Sequence, residues 1–285
     1  MQIIEKVSEL LTYVENGKKK GLKTGLVPTM GALHKGHLSL VKRSRQDNDI
    51  TIVSLFVNPV QFNNPRDLET YPRRQKEDFE LLAKEGVDVV FAPTEEEIYP
   101  EGYNRERKFQ LGHTAEVMEG KFRPGHFQGV ALVVNRLFEL CRPTHAYFGM
   151  KDFQQIAVIK EMIRNEGLDI EIIACPIVRE STGLAFSSRN QLLNEDERAE
   201  ASLIYKTLEE SKEYSKNHSV QETKVWVSEK INSKENFRME YFEVVDGETL
   251  LPVEEWNESK YIVGCITVYV GEIRLIDNVV YKGEI

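Results

Sequence analysis

Apolar runs and helical spacings alternate along the first two thirds of the chain. The stretch ITIVSLFV at 50–57 is nearly continuous β-branched and apolar sequence, the pattern of a strand buried on both faces. Shorter runs at 25–28, 87–91, 145–148 and 170–175 predict further strands. Between them, 37–47, 72–84, 127–140 and 154–165 carry helical periodicity, with Pro72 suited to a first turn. The opening MQIIEKVSELLTYVENGKKK is expected to be a polar-faced helix. Such alternation predicts an α/β fold with a doubly wound, mostly parallel sheet. Ligands in these sheets bind beyond the strand C-termini, near the point where strand order reverses. The loops after Val27, Val57 and Phe148 are therefore the places to look for chemistry.

Beyond about residue 176 the texture changes. A long charged helix is expected at 195–215 and a second at Val220–Asn232. Three alternating segments at 239–245, 261–270 and 272–280 follow, with Gly271 as a turn signal. Helices followed by antiparallel strands indicate a smaller α+β domain. The expected division is 1–177 and 178–285.

Composition narrows the function. With 37 Lys and Arg against 46 Asp and Glu the net charge is −9, which argues against a general nucleic-acid binder and allows a local basic site for a small anion. Cys141, Cys175 and Cys265 sit far apart in apolar runs, with neither disulfide nor zinc spacing. Buried thiols in a reducing compartment are expected. The N-terminus is too charged for a signal peptide, and no run approaches the ~20 apolar residues of a membrane span. A cytoplasmic protein with no membrane partner is the expectation.

The most informative segment is VPTMGALHKGHLSLV at 27–41, which passes from a strand end through a turn into a helix. Gly36 allows close backbone approach, and the new helix presents N–H groups that favour an anion. His34 and His37 flank the turn, where imidazoles can donate to phosphate oxygens. Taken alone the pair fits equally well one capping and one core histidine. The segment lacks the Gly-Lys-Ser/Thr end of a Walker A loop and is not the dinucleotide fingerprint. Its His-x-Gly-His resembles the nucleotidylyltransferase superfamily.

Three more segments follow predicted strands or precede a helix. FVNPVQF at 56–62 places amides Asn58 and Gln61 at a strand C-terminus; FGMKDFQQ at 148–155 supplies a glycine, a cation, a carboxylate and two amides. LAFSSRN at 184–190 offers two hydroxyls and a guanidinium. Each alone has an ordinary use as turn, surface ion pair or helix cap. Together and in this order, with YPR at 71–73, YP at 99–100 and RPGHFQG at 123–129, they closely resemble the pantoate–β-alanine ligase (pantothenate synthetase) family across nearly the whole chain. One departure is visible: Phe186 stands where the family usually has Met.

The resemblance implies a Rossmann-like first domain, a second domain covering the site, and a cytoplasmic homodimer. It implies that D-pantoate, β-alanine and ATP with Mg²⁺ yield pantothenate, AMP and pyrophosphate through a pantoyl adenylate. Catalytic roles fall on His34, His37, Lys151, Ser187, Ser188 and Arg189, donors or cations suited to a triphosphate. ATP contacts are further expected from Met30, Gly31, Ala32, Leu33, Lys35, Gly36, Gly149, Met150, Asp152, Val178 and Phe186. Pantoate needs polar hooks in an apolar pocket. Gln61, Gln155 and Asn58 suit the hooks, and Pro28, Thr29, Met30 and Phe62 the wall. Arg123 is expected on a mobile loop near the phosphates. Metal ligands are not fixed by the sequence; Glu77 and Asp78 are candidates through water. The alternatives are a nucleotidylyltransferase that releases its adenylylated product, and a non-enzymatic nucleotide sensor.

Overall fold

The β-branched runs assemble into one parallel sheet. A computed structural model, describing residues 1–63 and 65–283, shows β1 (Gln2–Ile4), β2 (Thr24–Thr29), β3 (Ile50–Leu55), β4 (Val89–Phe91), β5 (His145–Gly149) and β6 (Glu171–Cys175) in the order β1-β4-β3-β2-β5-β6. Every neighbouring pair is parallel. Thr24 to Thr29 of β2 lie opposite Ile50 to Leu55 of β3, and Leu26, Val27, Ile52 and Val53 are fully buried. Helices cover both faces of such strands, so continuous apolar sequence is what they need. The strand order reverses between β2 and β5, which places their C-terminal loops at the switch point.

Two compact units are resolved by their internal packing. The first is Met1–Gly149 with Val158–Cys175; the second is Met150–Ala157 with Pro176–Ile285. In the second, β7 (Phe237–Asp246), β8 (Ile262–Val270) and β9 (Ile273–Lys282) form an antiparallel sheet in the order β7-β8-β9. The helices Ser202–Tyr214 and Val220–Asn232 bury Ile204, Leu208, Val227 and Ile231 in one core with Phe242, Val244, Ile266 and Val268.

Three expectations need correction. The first twenty residues are not one helix: Gln2–Ile4 pairs with Val89–Phe91 as an edge strand, and the helix Val7–Lys19 follows. The burial period of Leu10, Val14 and Gly17 starts only there, while Ile3 and Ile4 are adjacent β-branched residues that suit a strand. Pro72 lies outside its expected helix, which runs Gln75–Lys84. Arg74 is its N-cap, and the Arg74 carbonyl accepts the first intrahelical bond from the Asp78 amide at 2.9 Å. The charged helix at 195–215 is two, Glu195–Glu200 and Ser202–Tyr214, because Ala201 turns tightly and its carbonyl accepts from Ile204, three residues on. Among the described residues no helix is long and apolar enough to cross a membrane. All three cysteines are buried and unbridged, and burial pushes the Cys141 thiol up to about 12, so it stays protonated and inert.

Candidate active site

In the first unit the site is built on the turn between β2 and the helix Lys35–Asp47. Thr29 ends the strand; its hydroxyl donates to the Ser54 carbonyl (2.8 Å) and accepts from the Gly31 amide (3.2 Å). Gly31 and Ala32 then both take positive φ, 82° and 49°. Glycine adopts that region freely and alanine at a cost of roughly 1–2 kcal/mol. The carboxylate of Asp78 holds the bend from outside. Its two oxygens accept the amides of Ala32 (2.9 Å) and Leu33 (2.8 Å), and the residue is only 2% exposed. Burial pushes the Asp78 carboxyl up, and the two amides work against that shift. Leu33 drives into the apolar core with Val27, Leu40 and Val53, so the turn is anchored on both sides.

His34 caps the helix from extended backbone, φ −142° and ψ 176°. Its ring stacks on that of His37 at 4.0 Å, and its amide donates to His37 Nδ1 at 3.4 Å. Nδ1 of His37 is thus the acceptor, so a neutral ring carries its proton on Nε2. Lys35 is exposed, and Gly36 is half-buried with its carbonyl accepting from the Ser39 hydroxyl at 2.7 Å.

The second cluster of this unit follows β3, in the single turn Pro59–Gln61. Asn58 is 1% exposed and its amide is engaged on every side. It donates to Gln61 Oε1 (3.2 Å) and the Gly129 carbonyl (3.0 Å), and accepts from the Tyr99 hydroxyl (2.9 Å) and the Val60 amide (3.4 Å). The Gln61 amide is thereby fixed, with Nε2 at 3.1 Å from Met30 Sδ. The structure therefore brings together one expected hook and one expected wall residue, and makes Asn58 the part that orients Gln61. Phe62 packs edge-on against Tyr71 at 5.7 Å, and Pro28 is half-buried in β2.

Gly129 explains how the helix His126–Cys141 approaches so closely. A Cβ there would stand 2.6 Å from the Val60 carbonyl oxygen and 2.7 Å from Gln61 Cα. His126 Nδ1 lies 2.8 Å from the Gln61 carbonyl, and its Nε2 lies 3.1 Å from the Arg123 guanidinium. With arginine donating to Nε2, Nδ1 carries the hydrogen bonded to Gln61. Arg123 also sits 3.7 Å from Glu119.

The second unit carries the other expected groups. Met150–Asp152 forms one turn ahead of the helix Phe153–Glu166; Lys151 Nζ lies 3.9 Å from the Asp152 carboxylate and Gln155 is half-buried. Residues 178–186 fold back on themselves: Phe186 donates to the Val178 carbonyl (3.0 Å), Glu180 to Leu184 (2.8 Å), and Arg179 bridges Ala185. Asn190 ties off the loop by donating to Glu180 Oε1 and the Ala185 carbonyl, both at 3.0 Å. Ser187 caps the next turn, accepting from the Arg189 amide at 3.3 Å, and Ser188 is buried. The cap of the helix Glu195–Glu200 is Asn194 with Glu197, so the Ser-Ser-Arg-Asn run is not that helix's cap.

Sequence reasoning missed four residues that shape these clusters. Asp78 was weighed only for metal, and Tyr99 only as part of a motif. Asp277 and Asn278 lay inside a run read simply as strand, although two adjacent polar residues in RLIDNVV are a visible signal.

The family model described as pantoate-beta-alanine ligase matches residues 2–280. The chain belongs to the pantoate–β-alanine ligase family. It is 51% identical over 282 residues to the pantothenate synthetase of Bacteroides fragilis strain YCH46, covering 99% of both chains. The crystal structure of pantothenate synthetase from Thermus thermophilus superposes with a TM-score of 0.92 at 41% identity, over 99% of this chain and 100% of that one. The ligase from Francisella tularensis, solved in complex with beta-gamma ATP and beta-alanine, gives 0.81 at 35% identity, over 99% and 98%. The parallel sheet with a small antiparallel sheet is thus the fold of this ligase family, and ligation of pantoate to β-alanine is the activity of this chain.

Proposed function

We propose that the chain joins D-pantoate to β-alanine in two steps, with ATP as co-substrate. A pantoate carboxylate oxygen attacks the α-phosphorus of ATP, the bond to the bridging oxygen breaks, and pyrophosphate leaves. The β-alanine amine then attacks the acyl carbon of the pantoyl adenylate, AMP leaves, and the nitrogen loses a proton. The observation that carries this reading is the turn at Gly31–His37, with two stacked imidazoles at a helix N-terminus and a bend held by Asp78. Helix N-termini favour anions, and a Nε2–H on His37 suits a phosphate oxygen.

The first step concentrates negative charge, so positioning and electrostatic stabilisation supply most of the catalysis. His34, His37, Lys151, Ser187, Ser188 and Arg189 are assigned to the phosphates. Backbone around Met30, Gly31, Ala32, Leu33, Gly149, Met150 and Val178, with the Phe186 ring and Asp152, is assigned to the nucleoside. Gln61 and Gln155 are assigned to pantoate, with Asn58 acting through Gln61 and with Pro28, Thr29, Met30 and Phe62 as the wall. Among the described residues no cluster of three or more His, Cys, Asp or Glu side chains could hold a metal. The donor set therefore fits Mg²⁺ only as an ion carried on the phosphates, with the exposed Glu77 reaching it through water; Asp78, buried with both oxygens on the Ala32 and Leu33 amides, is committed to the bend instead. Bound there, Mg²⁺ would neutralise charge on the triphosphate. The resemblance to the family supports a cytoplasmic homodimer, which sedimentation of the purified protein would check.

Product analysis tests the reaction. With pantoate and Mg²⁺ but no β-alanine, labelled pyrophosphate should exchange into ATP; with β-alanine, AMP should accumulate. Stoichiometric ADP would refute the adenylate route, because ADP marks an acyl phosphate.

A further inference from the structure

Strand β9 carries two consecutive polar residues, Asp277 and Asn278, opposite Ile266 and Cys265 of β8. They are 5% and 4% exposed. Successive strand positions face opposite sides, so each reaches a different segment of the same unit. Asp277 accepts two bonds from Arg179, at 2.7 and 3.0 Å. That guanidinium also donates to the Gly183 carbonyl (3.2 Å) and lies 4.0 Å over the Tyr205 ring. Arg179 belongs to the folded-back segment that leads into Ser187. On the other side, Asn278 Nδ2 donates to the carbonyls of Met150 (2.7 Å) and Lys151 (3.2 Å). The backbone N–H of Asn278 donates to Asp277 Oδ1 at 2.8 Å, which holds that carboxylate against its own strand. Phe153, two residues past Lys151, packs edge-on against Tyr261 at 6.1 Å.

Stability alone does not account for this arrangement. A buried ion pair is often no better for stability than well-packed apolar residues of the same volume, and β9 is otherwise apolar at these depths. What the pair provides is geometry: two segments far apart in sequence are tied to adjacent residues of one strand.

We propose that Asp277 and Asn278 are positioning residues that fix Lys151 relative to the Ser187-Ser188-Arg189 segment. The proposal rests on the assignment of those groups to the ATP phosphates. Asn278 places the Lys151 backbone directly. Asp277 places the phosphate-binding turn through Arg179. A phosphoryl oxygen shared by these groups sets their spacing, and a displacement of about 1 Å can cost on the order of 10²-fold in rate.

The test is a double-mutant cycle with Lys151→Ala, Asn278→Ala and the pair, assayed by steady-state kinetics for ATP and pantoate, with melting curves. Asn278→Ala should lower kcat roughly tenfold to a hundredfold while KM for pantoate stays within about twofold. In the Lys151→Ala background the same change should lose most of its effect, because the group it positions is gone. An equal loss in both backgrounds would show a role in fold stability only and overturn the proposal. Near wild-type kcat for Asn278→Ala, with Lys151→Ala impaired, would overturn the proposal and leave the ATP assignment standing. Near wild-type kcat for Lys151→Ala would remove that assignment and the proposal with it. Should Asn278→Ala fail to fold, Asn278→Ser, which keeps one donor, carries the same cycle.

Discussion

The two units hold their candidate groups in different ways. In the first, the His34–His37 turn lies where a parallel sheet always opens a site, at the end of a central strand, and Asp78 pins it through backbone amides. In the second, Lys151 and Ser187 come from separate segments, and side chains of an antiparallel strand bond the Lys151 backbone and Arg179, whose folded-back segment leads into Ser187. A site of the first kind follows from topology. One of the second kind depends on particular polar residues in an otherwise apolar strand, so single substitutions should separate the two.

The largest effects are expected from one residue of each kind. His37→Ala and Lys151→Ala should each reduce kcat by roughly 10²–10³, or about 2.7–4 kcal/mol, with little change in pantoate binding. Steady-state kinetics decide it, and turnover near wild type would strip that residue of its role.

This difference also marks what was legible from sequence. The run at 50–57, the His34–His37 spacing and the amides at Asn58 and Gln61 were readable because strand burial and strand-end chemistry leave local patterns. The edge strand Gln2–Ile4 was not, since three residues are too short to show a period and its pairing with Val89–Phe91 is purely tertiary. Pro72 misled because the helix start was decided at Arg74. The polar pair Asp277-Asn278 stands out in an apolar run, but what Asn278 bonds could not be read, because its partners stand 127 and 128 positions away.

Next in size is Gly129→Ala. The new methyl would press on backbone rather than on a side chain that could turn away, so destabilisation of about 1–3 kcal/mol is expected. Gln61 should shift with it and pantoate KM should rise. An unchanged melting temperature would mean that the helix and the Pro59–Gln61 turn yield more easily than their contacts imply.

Gln61→Ala should weaken pantoate by about 1–3 kcal/mol and leave ATP nearly untouched. Tyr99→Phe should act in the same direction but less, roughly 0.5–1.5 kcal/mol, because Asn58 Oδ1 keeps its bond from Val60. Calorimetric titration with each ligand separates this from a general loosening, which would weaken both alike.

The smallest effect belongs to a helix start in the second unit. Ser219 and Glu222 form a capping box, and the Ser219 amide and hydroxyl hold the Glu222 carboxyl below its usual 4.5. A depressed folded-state pKa gives stability that is present above the unfolded value and lost as pH falls through the folded one. Glu222→Gln should therefore lower the melting temperature slightly at neutral pH and cease to matter in acid. A difference that persisted at low pH would place its origin outside the carboxylate.

The connections of β9 also bear on the order in which the molecule becomes competent. Strands β8 and β9 meet across a tight turn at Gly271, where Val270 faces Ile273, so their pairing closes almost no loop. The bonds from Asn278 to Met150 and Lys151 close a far longer one, and long closures come late in folding. During refolding, the secondary-structure signal should therefore return before ATP turnover; a single shared rate for both would contradict this. On this account the hairpin is a template made early, and Lys151 is one of the last groups to be set in place.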